Sequence, residues 1–291
     1  MQKSWKRLLK IISLGLFSLL VVLLVLINVL VKNLIKDEAD MLKGLNAAGQ
    51  LQTLEVGYID VESLGKIRYA HLGVDTLPLL VLVHGSPGDL NAFDSWFADT
   101  LLTQKFQLVA FDRPGFGLSK VGVQRALSDQ SLCVSVIIDH ISAPSYYLLG
   151  HSYGGAVVLT ASMDEVENVK RSIIVAGSVD PALEPREWWR PIISNKLVSW
   201  TLPDMLLCSN KEIEALYGEL VNMDARIDTI DHMPITVFQG TQDKLVPPGN
   251  ADYIKAKLPR SELVWFENEG HFILWSKQKE IVEYLLNHSN D

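Results

Sequence analysis

Cysteine is scarce in this chain, with only Cys133 and Cys208 among 291 residues. Two thiols supply neither a metal site nor a disulfide framework, and Cys133 lies in the apolar stretch SLCVSVII, where a buried thiol is the ordinary outcome. A single Cys133–Cys208 bridge stays open if the domain sits in an oxidising compartment. Positive charge is also short, and the formal net charge is −8. The first 36 residues hold six basic side chains and no acid, so residues 37–291 carry −14. A body that acidic is a poor partner for nucleic acid. Internal repeats and low-complexity tracts are absent as well, and nothing in the pattern calls for a metal or a cofactor.

Apolar residues are plentiful at 48%, enough for one sizeable core. Residues 11–31, IISLGLFSLLVVLLVLINVLV, run without a charge and as a helix reach about 32 Å, enough to cross a bilayer. A cleaved signal peptide would have a shorter apolar region ending in a small-x-small site. Neither feature is present, so the run is read as an uncleaved transmembrane anchor. Lys3, Lys6, Arg7 and Lys10 precede it, so the expected N-terminus is cytoplasmic, with residues 1–10 as a basic flank. Residues 32–53 form a connector, and residues 54–291 are expected on the outer, periplasmic or extracytoplasmic side of what reads as a bacterial inner membrane. Lys32 and Lys36 on the far side count against this orientation.

Past the connector the periodicity changes. LEVGYIDV and KIRYAHLG alternate and predict a half-exposed hairpin. Residues 79–83, 107–111, 146–150, 172–177, 235–240 and 262–266 are instead nearly continuous apolar runs, as expected of strands buried on both faces. Helix-length stretches separate them, which is the alternation of an α/β fold with a mostly parallel sheet and helices on both faces. Residues 181–234, rich in Trp and Pro, are too long for a simple crossover and read as a small helical cap inserted into this domain.

In this frame LLGHSYGGA (148–156) sets Ser152 on a sharp turn between a strand and a helix, with glycines at 150, 154 and 155. A serine there is lifted above the sheet edge and becomes a candidate nucleophile. It then needs a base and an acid to orient that base. Among the later histidines, His271 follows the last strand, whereas His232 precedes a strand and His288 lies in the polar tail. For the acid, Asp243 in GTQDKLVP leaves a strand by a short turn, and Asp180 before Pro181 reads as the turn opening the cap. The N–H groups of Ser86, in VLVHGSPGD, and Tyr153 are candidate oxyanion donors. His84 and His151 read as structural, and Asp112 and Arg113 as loop-fixing residues.

Taken in order, H-G-S-P-G, D-R-P-G-F-G, G-H-S-Y-G-G, G-x-x-D-x-x-V-P and G-H-F resemble the α/β-hydrolase superfamily of serine esterases and related enzymes over about residues 54–288. The resemblance implies an α/β-hydrolase fold with Ser152 as nucleophile, His271 as base, Asp243 as orienting acid, and Ser86 and Tyr153 as oxyanion donors. It implies a small-molecule ester as substrate. Haloalkane dehalogenases and epoxide hydrolases share the H-G-x-P loop but carry an aspartate at the place of Ser152. Prolyl-aminopeptidase-like members are the alternative, with Glu184, Glu187, Glu212 and Glu214 as candidate holders of a substrate amine. Their nucleophile turn usually reads G-G-S-W-G, and cap glutamates are ordinarily solvated. A catalytically silent, tethered binding protein on the same fold is the remaining alternative. Trp188, Trp189 and Trp200 are expected to line the cap's substrate side.

Overall fold

The computed structural model describes residues 2–32, 35–165, 169–200 and 202–288. The apolar run lies within one helix, Gln2–Lys32, whose membrane-length part Lys10–Val31 is not buried against the rest of the molecule. A shorter helix, Glu38–Ala47, follows, capped by the Asp37 carboxylate accepting the Asp40 N–H. It docks Met41 and Leu45 into the domain.

Among the described residues eight strands form one sheet: β1 (Leu54–Val61), β2 (Gly65–Leu72), β3 (Leu79–Val83), β4 (Gln107–Phe111), β5 (Tyr146–His151), β6 (Val169–Val175), β7 (Ile235–Gly240) and β8 (Glu262–Phe266). Their order across the sheet is β1-β2-β4-β3-β5-β6-β7-β8. β1 and β2 are an antiparallel hairpin, and β2 joins β4 antiparallel. All pairings from β4 to β8 are parallel.

Side-chain alternation explains why the central strands read as unbroken apolar runs. In β3, Leu79, Val81 and Val83 enter one core cluster and Leu80 and Leu82 the other. The first cluster takes the inner faces of helices Leu127–His140, Tyr153–Asp164 and Gly249–Lys257. The second takes Phe93, Trp96 and Phe97 and the helix Gln278–Asn287. The sheet is therefore covered on both faces, except at its edge strands β1 and β8, which have half-buried and exposed positions.

Strand succession reverses at β3, which has β4 on one side and β5 on the other. Loops leaving the C-terminal ends of β3 and β5 diverge there and leave a crevice, where open α/β sheets bind ligands. The segment between β6 and β7 contains helices Arg190–Ser194, Lys196–Ser199 and Asp204–Asp224.

Candidate active site

Ser152 follows β5 directly and opens the helix Tyr153–Asp164 with φ 57° and ψ −122°. A non-glycine residue seldom adopts positive φ, and such strain persists where the surroundings over-determine it. Close backbone approach does so here. A Cβ on Gly150 would sit 2.1 Å from the Gly154 carbonyl oxygen, and one on Gly154 would sit 2.3 Å from that of Val83. Only glycine lets the turn pack this tightly against β3.

His271, in the loop after β8, places Nε2 3.0 Å from Ser152 Oγ. Its Nδ1 lies 2.8 Å from Asp243 Oδ2. With Nδ1 donating to the carboxylate, Nε2 is left to accept the serine proton, so the arrangement can generate an alkoxide and store its proton. Asp243 lies in the turn after β7, where Oδ1 accepts the N–H groups of Leu245 and Val246 at 2.9 Å each. Burial works to raise its carboxyl pKa, but the His271 and backbone hydrogen bonds outweigh burial and hold it below the usual aspartate value. Asp180 instead accepts the Ala182 N–H at 2.8 Å, closing the turn that leads into the cap.

A family model described as the alpha/beta hydrolase fold matches residues 78–202 and 200–278. The chain belongs to the α/β-hydrolase fold family. Among curated relatives, the dihydrolipoyllysine-residue acetyltransferase component of the acetoin cleaving system of Pseudomonas putida is 25% identical over 253 residues. That match covers 76% of this chain and 65% of the relative, less than two thirds of its length. The pimeloyl-[acyl-carrier protein] methyl ester esterase of Nitrosomonas europaea is also 25% identical, covering 67% of this chain and 88% of that one. Among solved structures, a membrane phospholipase A described as a bacterial virulence factor superposes with a TM-score of 0.65 at 20% identity, covering 97% of this chain and 99% of that one. An esterase from Exiguobacterium antarcticum gives 0.61 at 17%, covering 81% and 100%. These two structural likenesses establish the fold.

In this member of the α/β-hydrolase fold family a cavity of 720 Å³ lies over Ser152 and His271, with Ser86 and Tyr153 in its wall. The Tyr153 N–H belongs to the first turn of its helix, where amides lack intrahelical acceptors. Both histidines read as structural have backbone partners. His84 Nδ1 lies 2.7 Å from the Gly85 carbonyl oxygen, and its Nε2 accepts the Arg113 N–H at 3.0 Å. His151 Nε2 lies 3.2 Å from the His271 carbonyl oxygen. Burial pushes the His151 pKa down to about 4, so its ring is neutral beside His271.

Arg113 does more than fix its own loop. Its guanidinium donates to the carbonyl oxygens of His84 (3.0 Å) and Gly85 (3.1 Å), bracing the loop that carries Ser86. It also lies 4.5 Å from the centre of the Tyr153 ring. The same group forms a fork with Glu212 of the cap at 2.8 and 2.9 Å.

The cap tryptophans do not line the substrate side. Trp188, Trp189 and Trp200 are not among the cavity-lining residues; Trp188 is 80% and Trp200 74% exposed, and Trp189 instead meets the Arg190 guanidinium. The cap reaches the cavity through Glu184, Pro185, Glu187, Arg190, Ile213 and Leu216. Two lining aromatics, Phe272 and Trp275, escape the sequence reading although they lie one and four residues after His271. Their signal is closeness in sequence to the candidate base. Both cysteines are free, with Cys133 buried.

Proposed function

We propose that the protein is a membrane-anchored serine hydrolase that cleaves carboxylic esters through an acyl-enzyme. The observation carrying this reading is the line Ser152 Oγ–His271–Asp243, with contacts of 3.0 and 2.8 Å. Ser152 Oγ attacks the ester carbonyl while its proton passes to His271 Nε2. The N–H groups of Ser86 and Tyr153 receive the oxyanion. Collapse of the tetrahedral adduct breaks the C–O bond, and the departing alkoxide takes the proton from His271. Water then repeats the sequence on the acyl-serine, releasing the acid.

The 720 Å³ cavity suits a short to medium uncharged acyl group, since Ile213, Leu216, Leu245 and Phe272 give it apolar walls. A buried methylene contributes about 0.8 kcal/mol, so kcat/KM should rise about fourfold per carbon until the cavity is full. The test is kcat/KM across esters of graded acyl length and against proline and alanine arylamides. A flat acyl profile removes the assigned specificity, and an arylamide preference favours the aminopeptidase alternative.

That alternative has one supporting observation, the presence of Glu184 and Glu187 in the cavity wall. Against it, burial raises the Glu184 carboxyl pKa and Glu187 pairs with Arg190. Glu212 and Glu214 are engaged by Arg113 and Arg125. Labelling by a fluorophosphonate separates the enzyme from a silent binding protein.

Anchoring rests on the 22-residue span Lys10–Val31. The basic flank before it favours a cytoplasmic N-terminus with the hydrolase domain outside a bacterial inner membrane. Protease added outside sealed cells whose outer layer has been removed should digest the domain. Protection until lysis reverses the orientation.

A further inference from the structure

Val31, at the end of the membrane-length span, lines a crevice of 420 Å³ together with Ile35, Leu118 and the cap residues Pro203 and Met205. The chain leaving the span is held there, because Arg68 Nη1 donates to the Lys36 carbonyl oxygen at 3.1 Å and Lys36 pairs with Asp94. One end of the cap therefore lies beside the place where the chain leaves the bilayer. On that cap Trp188, Ile192, Trp200 and Leu206 are exposed, and Leu206 directly follows the crevice residue Met205.

We infer that the exposed cap surface of Trp188, Ile192, Trp200 and Leu206 rests on the lipid bilayer that holds the anchor, so that the cavity beneath takes amphipathic esters resident in that bilayer. These side chains sit on or beside cap helices that pack on one another, Arg190–Ser194 against Lys196–Ser199 and Asp204–Asp224, and large apolar side chains gathered in exposed positions on one element mark an interaction site. Indole has an apolar body and an N–H donor, which places Trp at membrane–water interfaces. Continuity with the span names the occupant, because the anchor brings lipid to the edge of this patch. The tether makes the contact intramolecular, so even a weak affinity is enough to keep the patch seated. The cap helix Asp204–Asp224 begins at the crevice and carries Ile213 and Leu216 into the cavity wall. One element thus reaches from the bilayer edge to the candidate site.

The substrate half of this inference rests on the proposed ester hydrolysis, and the docking half does not. The experiment uses the full chain reconstituted in phosphatidylethanolamine/phosphatidylglycerol vesicles, with or without acyl chains brominated at carbons 6 and 7. Fluorescence of the protein minus that of W188A/W200A isolates these two indoles from the other tryptophans. Quenching of the difference signal by the brominated lipid, with little quenching by aqueous acrylamide, is the expected result. Efficient acrylamide quenching with none by bromine places the indoles in water and overturns the docking. Protection from both places them against protein and overturns it equally. For substrate, W188A/W200A should retain kcat/KM on a water-soluble short ester and lose three- to tenfold on an ester embedded in the vesicles. Equal loss on both, or no loss on either, refutes bilayer-resident substrates. Absence of all ester hydrolysis in the unmutated protein defeats the proposed function while the quenching result still decides the docking.

Discussion

Arg113 and Glu212 form a bidentate ion pair, each side chain fully buried, between the loop after β4 and the cap helix Asp204–Asp224. Because Arg113 also holds the His84 and Gly85 carbonyls, the pair couples the cap's position to the loop bearing Ser86.

Removing one partner leaves the other charged in a dry site, which costs about 3–5 kcal/mol. Glu212→Gln and Arg113→Met are each expected to lower the urea midpoint accordingly. Replacing both partners by apolar residues of similar size should recover part of the stability, the His84 and Gly85 carbonyls still lacking their Arg113 donor. Denaturant titration of the two single variants and the Arg113→Met/Glu212→Leu double variant checks this. Equal losses in all three would mean that losing the paired contact, and not stranding one buried charge, sets the cost.

Ser152→Ala and His271→Ala should each reduce kcat by several orders of magnitude, and the double variant should lose little more, because groups acting as one unit are not additive. Single-turnover ester hydrolysis measures it. Near-normal turnover in Ser152→Ala rules out this serine as the nucleophile.

Asp243→Asn should cost about 10³–10⁴-fold in kcat, since an amide does not fix the His271 tautomer as the carboxylate does. Asp180→Asn should stay within a few-fold, as its carboxylate caps the turn at Ala182. Steady-state rates for the two variants rank them, and the reverse order would move the orienting acid to Asp180.

Burial, followed by the neighbouring Asp112 carboxylate, pushes the Asp89 pKa up to about 6; Asp94 adds to this, while the Asn91 N–H and Arg68 oppose it. The folded value lies above the unfolded one of about 4, so this group's contribution to stability is full below pH 4 and is lost as pH rises through 6. Asp89→Asn cannot ionise and keeps an oxygen for the Asn91 N–H. Between pH 4 and 7.5 it should gain on the unmutated protein by about 2–3 kcal/mol. Urea midpoints at the two pH values test it, and a difference independent of pH would mean that Asp89 does not titrate in this window.

Most of the sheet was legible because strands buried on both faces leave runs that few other elements produce. β3, β4, β7 and β8 lie at the expected residues. β6 begins at Val169 instead of Ser172, because Lys170 and Arg171 interrupt the apolar run. The cap helix starts at Asp204, six residues before the amphipathic stretch NKEIEALYGELVNM, since its first turns are partly exposed and show no clean stripe. Chain order brought Ser152, Asp243 and His271 into view, and the structure places them together. The fate of the cap side chains was not legible. An apolar cap residue reads the same whether it faces the cavity or the outside. Glu212 looked like a surface acid because its partner Arg113 is 99 residues away.

The Ser152–His271 contact joins residues 119 positions apart, and between them lie three successive parallel pairings, β5 to β6 to β7 to β8. Parallel, non-local pairing is slow because chain entropy is lost before contacts form. Ser152 can be set on its turn against β3 and β6 while the base is still absent. On the proposed mechanism, then, covalent labelling at Ser152 during refolding is expected to begin only when the last strand joins, and a species with native helix content that fails to label is expected to lack β8.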